Sequence, residues 1–444
     1  MDPPALVPLT SDLRQFEKEW SARYPFFKDH GYLLRPRYIP GREPDWKTSG
    51  VSPMLCEDFI PAHPLHPNLM DATRKIDGKR VYIKRLSHGG NEADIAAMLS
   101  PPGSTPRDSH NHAIPLVDII RPSKPLRPAR ARNDSDDEPP AEIVGGAQTL
   151  SEQVIQPENA HVDHVVSSKD TQASPEDGNV DDHPTSQDDY VLGQDDEHTV
   201  YLVMPLLLTV KAVPFETVDD IVDFAEQLLE GIVYMHAQGV AHRDCSIRNI
   251  LVDADALFPK SFHPIRLEML PDGRTPVLRL SRSSAPVTYY FADYGISSYF
   301  DPKTEQDRKV VGVSGIDQDV PELSLDVPYD PFKVDVFLIG NLLKQEVYMK
   351  FKNVGFLEPL FRAMTATDPA ARPDAVAAYG QWTVIRKNMF SGKKAQRLRS
   401  RDEGLIVGFF VDVFTAVQLI VRLPGRAVTF VQRSSRRVLT SSHS

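Results

Sequence analysis

The chain has 444 residues, with 61 acidic against 50 basic side chains and a formal net charge of −11 at pH 7. That length accommodates one large domain with extensions, and two cysteines are too few for a disulfide framework and suit a reducing interior. The acidic balance, with no aromatic-interleaved basic surface, argues against nucleic acid as a partner. The first residues, MDPPALVPLT, carry no basic region followed by an apolar core, so the expected compartment is the cytoplasm.

In chain order, residues 1–67 read as a Pro- and aromatic-rich extension with one helical stretch, SDLRQFEKEWSARY, expected to wrap the lobe that follows. Asp77-Gly78 between apolar runs reads as a hairpin turn. VYIKRL after it alternates as a strand carrying Lys84. HAIPLVDII and TVYLVMPLL read as two further strands, separated by an insertion at 121–198. From Asn133 to His198 there are 18 acidic residues against one lysine, a net of −17, so the remainder of the chain sums to +6. Such a segment buries too little apolar surface to offset its ordering entropy, and disorder is expected. Ser135, among the acids of NDSDDE, is a candidate modification or docking point, although a solvated loop is the plainer reading.

From Phe215 to Ala237 apolar residues recur at Val218, Ile221, Val222, Ala225, Leu228, Leu229, Ile232 and Val233, which predicts a helix burying one face and stopping at Gly239. VAHRDCSIRNILVD follows, with His242, Arg243 and Asp244 ahead of Asn249, and then Asp293-Tyr294-Gly295. The long stretch between Asn249 and Asp293 predicts an added hairpin around Pro271-Asp272-Gly273. Pro321-Glu322, Asp335 five residues before Gly340, and Arg372 in DPAARP come next. The tail 386–444 carries 12 basic and 3 acidic residues around an apolar helix expected at 404–423. That helix is long enough to span a bilayer, but its central Asp412 costs about 2.5–3.5 kcal/mol on insertion scales. Its basic flanks suit an anionic membrane surface; packing on the body of the protein or on a partner is the alternative.

Moving a phosphoryl group from ATP needs a carboxylate to orient the attacking hydroxyl and oxygen ligands for magnesium. Asp244 can be the first, and Asn249 with Asp293 the second. H-R-D, four residues, N, then D-Y-G resembles the protein-kinase superfamily, with Tyr294 in place of Phe. HRDC, the extended segment before DYG, and DVPEL also look similar to kinase-like proteins of the type expanded in mushroom-forming fungi. The resemblance runs from about Asp71 to Trp382, excluding the acidic insertion.

It implies an α+β, bilobal protein-kinase-like fold over 68–385, with a small β-rich N-lobe, a mainly helical C-lobe, and a hinge after Met204. It implies ATP and Mg2+ as cofactors, and transfer to a protein serine or threonine; the alternative is a pseudokinase scaffold. Lys84 would sit on the phosphates, paired with Glu92 (Asp94 is the rival), and Met204 and Leu206 would flank the nucleotide. Asp244 would orient the hydroxyl, Arg248 steady the transferring group, and Asn249 and Asp293 hold magnesium. His242, Arg243, Gly295, Glu322, Asp335 and Arg372 would be structural or regulatory, with Thr304 or Ser314 as phosphorylation sites answering Arg243. Three departures stand out: no G-x-G-x-x-G lies between Gly50 and Lys84, Ser246 replaces the usual lysine after Asp244, and VSGIDQDV lacks the Gly-Thr-x-x-Tyr peptide-docking series. Cys245, beside Asp244, raises the idea of a reactive thiol.

Overall fold

The computed structural model describes residues 12–63, 66–86, 91–104, 108–122, 195, 198–304 and 307–404. Most of the acidic insertion, with Ser135, and all of 405–444, including nearly all of the expected apolar tail helix, lie outside the described residues.

The first lobe opens with helices α1 (Gln15–Ala22) and α2 (Tyr24–Asp29) and strand β1 (Tyr32–Leu34). A connection bearing the short helix α3 (Asp45–Thr48) leads to β2 (Leu69–Arg74), β3 (Arg80–Leu86), helix α4 (Glu92–Leu99), β4 (Asp118–Ile120) and β5 (Val200–Pro205). These strands form one antiparallel sheet in the order β1-β2-β3-β5-β4. The β2–β3 turn requires Gly78 at φ 69°, a conformation glycine adopts without Cβ strain.

Burial alternates along β3, and the two faces meet different partners. Met70, Val81, Ile83, Tyr201 and Val203 face outward, where Phe16, Trp20 and Phe27 of the first two helices cover them. Each such fully buried side chain contributes about 1.5–3 kcal/mol. The described part of the N-terminal segment thus packs on the first lobe and is continuous with its sheet. It supplies the edge strand, with Leu34 opposite Ala72, and the Trp20 indole N–H donates to the Pro67 carbonyl (2.8 Å). Periodicity showed a short helix there, but an edge strand of three residues carries too little alternation to be read.

The second lobe follows with β6 (Leu208–Thr209), α5 (Val218–Ala237), β7 (Val240–Ala241), β8 (Ile250–Asp253), β9 (Thr288–Phe291), β10 (Ser298–Tyr299), β11 (Val310–Gly312) and β12 (Ser324–Tyr329). Helices α6 (Pro331–Leu342), α7 (Glu358–Met364), α8 (Ala375–Lys387) and α9 (Ser391–Lys394) complete it. Helix α5 starts in a capping box of Thr217 and Asp220 and ends before Gly239, at φ 79°, where a Cβ would lie 1.9 Å from the Phe300 carbonyl oxygen. Helix α6 is buried on almost all sides, and α7 approaches so closely that a Cβ on Gly340 would sit 2.7 Å from that of Met364. The result is a two-lobed α+β fold.

The turn expected at Pro271–Gly273 is present, closed by a bridge between Met269 and Pro276, without long hairpin strands. Chain beyond residue 385 continues on the body of the second lobe: Arg386 pairs with Glu226, Leu398 is buried, and Thr217 bridges Arg397. Among the described residues no helix is long and apolar enough to cross a membrane.

Candidate active site

Lys84 leaves the inward face of β3, the face turned toward the second lobe. Its ammonium bridges Glu92 Oε1 (2.7 Å) at the first turn of α4 and Asp293 Oδ1 (2.8 Å). Asp94, the rival partner, is instead exposed and lies 3.8 Å from Arg121. Burial alone would lower the Lys84 pKa, but Glu92 and Asp293 win and raise it. Burial likewise pushes Asp293 up, and Lys84 overcomes it and holds the carboxyl below its usual range. Both groups are thus charged at neutral pH. Gly295 lies beside them: a Cβ there would make ordinary contact with Asp293 Oδ1 (3.4 Å) and Glu92 Oε2 (3.5 Å).

The loop between β7 and β8 is organised by Asp335 of α6, which is fully buried. Its carboxylate accepts the backbone N–H groups of His242 (2.7 Å) and Arg243 (2.6 Å) and lies 2.9 Å from His236 Nε2. Those bonds hold Arg243 at φ 68°; Asp293 sits at φ 69°. Left-handed conformations at non-glycine residues cost about 1–3 kcal/mol each and persist only where surroundings over-determine them. His242 Nδ1 accepts from the Asp244 N–H (3.3 Å), so its Nε2 carries the proton given to the Ala292 carbonyl (3.1 Å). Its ring lies 5.2 Å from that of Tyr294, whose hydroxyl donates to the Phe291 carbonyl (3.0 Å). The tyrosine that replaces phenylalanine is thus buried with its polar atom satisfied.

Asp244 Oδ2 accepts from Asn249 Nδ2 (2.8 Å), and its Oδ1 accepts from the backbone N–H of Ile316 (2.9 Å). The Asn249 amide nitrogen is committed to Asp244, which turns its carbonyl oxygen to other uses. Ser246 has a buried hydroxyl without a partner, and Arg248 is exposed with no polar partner among the described residues. Farther down, Glu322 and Arg372 form a two-pronged pair (2.8 Å for Nη2 to Oε2), and Arg372 also donates to the carbonyls of Ala366, Lys333 and Thr367.

Lysine bridged to a helix glutamate and the D-Y-G aspartate, a carboxylate–asparagine pair, and a buried helix aspartate gripping the loop resemble the arrangement of protein kinases. The chain is protein-kinase-like. No protein-family model matches its sequence. It is 23% identical over 198 residues to a protein of Encephalitozoon cuniculi described as a probable casein kinase II subunit alpha homolog, over 44% of this chain and 48% of that relative. It therefore spans about half the length of that curated relative. A solved structure of the Rad53 kinase domain and SCD2 aligns with 74% of this chain and 89% of its own, at 13% identity and a TM-score of 0.36.

In this kinase-like site the residues fit a hard cation. Asp293 keeps a half-exposed carboxylate and Asn249 a carbonyl oxygen, and no cluster of three or more His, Cys, Asp or Glu exists among the described residues. Magnesium is commonly held by one or two protein oxygens, with phosphates and water completing the shell.

The nucleobase end fits poorly. Tyr82 shares Lys84's face of β3 and pairs with Asp71 on one side and Met204 on the other. Asp71 is buried and gripped by Arg35 Nε (2.8 Å to Oδ2), which leaves the sheet directly after β1. Arg35 also donates to Ile60 O (2.7 Å), Glu57 Oε1 (3.3 Å) and Tyr38 Oη (3.2 Å). Glu57 in turn lies 3.6 Å from buried His263 of the long segment after β8. Burial and then Asp71 push the Tyr82 phenol up. Thus a charged network occupies the hinge-ward part of the inward face. Two segments foreign to the family pattern meet there, and Arg266 (3.1 Å to Met54 O) and Arg274 (onto Leu55 O) tie them together.

Met204 is buried in the core rather than lining an open slot, and Leu206 borders a cavity of about 670 Å3 on the outer side of the hinge, with Arg80, Asp255 and Phe262. Neither Lys84 nor Asp293 lines that cavity. Arg35, Glu57, Asp71, His263 and Ile316 were missed at the level of sequence. Only Tyr82 had a signal, because strand alternation sets it on the face of Lys84.

The acidic insertion holds one more surprise. Its Asp195 is buried, accepting from Arg23 (2.9 Å), Arg85 (2.9 Å) and the Tyr201 hydroxyl (2.8 Å). Asp195 thus anchors on the first lobe. Cys245, fully buried, has its thiol pushed well up by burial and then by Asp335 and Asp244, which removes the basis for a reactive-thiol role.

Proposed function

We propose that the chain transfers the terminal phosphoryl group of ATP to a hydroxyl of a protein, serine or threonine rather than tyrosine. The observation carrying this reading is the Lys84 ammonium bridging Glu92 and Asp293 while Asn249 orients Asp244. Magnesium, when bound on Asn249 and Asp293, supplies neutralisation of phosphate charge. Asp244 orients the incoming hydroxyl and receives its proton, Lys84 steadies the phosphates, and exposed Arg248 is placed by sequence to meet the transferring group. The test is phosphotransfer by the purified chain with Mg-ATP, alongside Asp244→Ala and Asp293→Ala. Self-labelling by wild type, with a loss of about 10²–10⁴ on removing the base, supports the reading. Labelling that survives in Asp244→Ala would sink it.

A second reading, a kinase-like scaffold without transfer, is favoured by the Arg35–Asp71 network on the inward face. It predicts no nucleotide binding at millimolar concentration. Cytoplasmic residence and attachment of the tail 386–444 to an anionic membrane surface are proposed on sequence grounds. Co-sedimentation of the full chain with phosphatidylserine vesicles, set against a chain ending at residue 404, decides the attachment: equal pelleting refutes it.

A further inference from the structure

We propose that the exposed apolar face of α8 is the seat of the chain's own apolar segment, 405–423. The inference stands apart from the phosphotransfer reading and assigns an interaction surface on the far part of the second lobe.

The seat comes first. Helix α8 buries Ala375, Ala378 and Trp382 against the lobe. On its other side Val376, Gly380 and Val384 recur every four residues, which sets them on one stripe. Val376 and Val384 keep 67% and 60% of their surface exposed, and Phe390, just past the helix, keeps 66%. Between Asp374 and Arg386 the helix carries no charged side chain. Single exposed apolar residues are ordinary on a protein surface, whereas an aligned set marks a contact. Gly380 adds an independent sign. A glycine inside a helix loses more conformational entropy on folding than alanine would. Gly380 has no positive φ to require it, and a Cβ there would meet nothing within 4 Å. It leaves a trough between two exposed valines, and no described residue fills it.

The occupant follows from where the described residues lead. Residues 386–404 already run over the second lobe. The Lys352 N–H donates to Arg399 O (2.8 Å), its ammonium donates to Glu403 O (2.7 Å), and Arg397 Nη2 donates to Glu403 Oε1 (2.7 Å). Phe356, four residues past Lys352, stands 6.3 Å ring to ring from Trp382 of α8 and beneath the Lys393 ammonium (5.0 Å). The described chain thus ends on the part of the lobe that α8 helps to build, and 405–423 follows directly. As a helix that segment would be about 28 Å long against about 20 Å for α8, enough to run along the whole stripe.

Its composition fits the seat better than it fits a bilayer. At helical spacing Asp412, Thr415, Gln418 and Arg422 fall in one arc of about 120°, and every other residue of the segment is apolar or glycine. Spanning hydrocarbon would bury Asp412. On α8 the polar arc faces water while the apolar arc meets the valines. The arc's one acid and one base cancel, so it has no net attraction to an anionic surface. Pro424-Gly425 closes the segment. The arginines beyond it (Arg426, Arg433, Arg436 and Arg437) stay available for the surface attachment proposed above.

The experiment places a photoreactive benzoylphenylalanine at Val384 of the full chain and maps its cross-links by mass spectrometry, with light scattering to establish the number of chains. Cross-links from 384 into 405–423 within a monomer are expected. In parallel, chymotrypsin cleavage at Phe409, Phe410 and Phe414 is timed in wild type, in Val376→Asp/Val384→Asp, and in Leu325→Asp. Leu325 is an equally exposed apolar residue, on β12, and serves as the control. Cleavage is expected to be at least about tenfold faster in the α8 variant, as the undocked population grows with the apolar burial lost, and unchanged in the control. Four results overturn the inference: cross-links that avoid 405–423, cross-links formed only between two chains, equal cleavage in the α8 variant and wild type, or equal acceleration by Leu325→Asp. Protection of the segment that appears only on adding phosphatidylserine vesicles also overturns it and assigns the segment to the membrane. All of these leave the phosphotransfer reading untouched.

Discussion

Replacing Arg35 by methionine tests whether the network on the inward face is a structural necessity. The substitution keeps an unbranched apolar stem and removes the bonds to Asp71, Ile60, Glu57 and Tyr38. Asp71, 4% exposed, then holds a buried carboxylate without its cation. Breaking a buried pair from one side costs about 3–5 kcal/mol, because the remaining charge is uncompensated. Against a typical total stability of about 5–15 kcal/mol, such a loss moves a urea midpoint well outside error. Trp20 and Trp382 are both fully buried and report unfolding by fluorescence. The double variant Arg35→Met/Asp71→Leu removes both charges and is expected to recover to within about 2 kcal/mol of wild type, since apolar substitutes for a buried pair are often neutral. An Arg35→Met loss below about 1 kcal/mol, or a double variant as unstable as the sum of the singles, would refute the reasoning.

Three further outcomes are expected. Burial alone would raise the Glu17 pKa, but Arg37, followed by the N–H groups of Arg14 and Ala62, holds it below 4.5. Its contribution is therefore present above the unfolded value and lost as pH falls through the folded one, so the melting-temperature gap between wild type and Glu17→Gln should be widest near pH 7 and close below pH 4. Cys245 should resist a thiol reagent at pH 8 in the folded chain and react once denatured; fast labelling of native Cys245 would contradict its burial. Glu322→Ala should cost about 3–5 kcal/mol by stranding the Arg372 guanidinium, read from the urea midpoint, and a loss under about 1 kcal/mol would exclude the pair as a brace.

The two-lobed fold and the motifs of the candidate site were legible in the sequence because their signals are local. Helix α5 has the 3.6-residue period, Gly78 and Gly239 mark a turn and a helix stop, and H-R-D, Asn249 and D-Y-G keep fixed spacings. Arg35 pairs with a residue 36 positions away, Arg23 with Asp195 across 172, and Ile316 with Asp244 across 72. No periodicity encodes such pairs, since their partners are chosen by the tertiary fold. How the chain before residue 67 packs was not legible for the same reason: the apolar residues Phe16, Trp20 and Phe27 are visible in sequence, but the sheet face they cover is not.

The segment after D-Y-G shows how one arginine can be satisfied without a modification. The sequence leaves open whether a phosphate on Thr304 or Ser314 answers Arg243. Its guanidinium donates to Ile296 O (3.1 Å), Ser298 Oγ (3.4 Å), Val311 O (3.2 Å) and Tyr329 Oη (3.2 Å). Tyr329 Oη also donates to Gly312 O (2.5 Å), and β11 pairs with β12 over the same stretch. A buried or half-buried guanidinium needs acceptors, and four neutral oxygens meet that need at no cost in added charge. The same hairpin delivers the Ile316 N–H to Asp244 Oδ1. Order in this segment and orientation of Asp244 are thus coupled through the bonds of Arg243 and the Ile316 N–H.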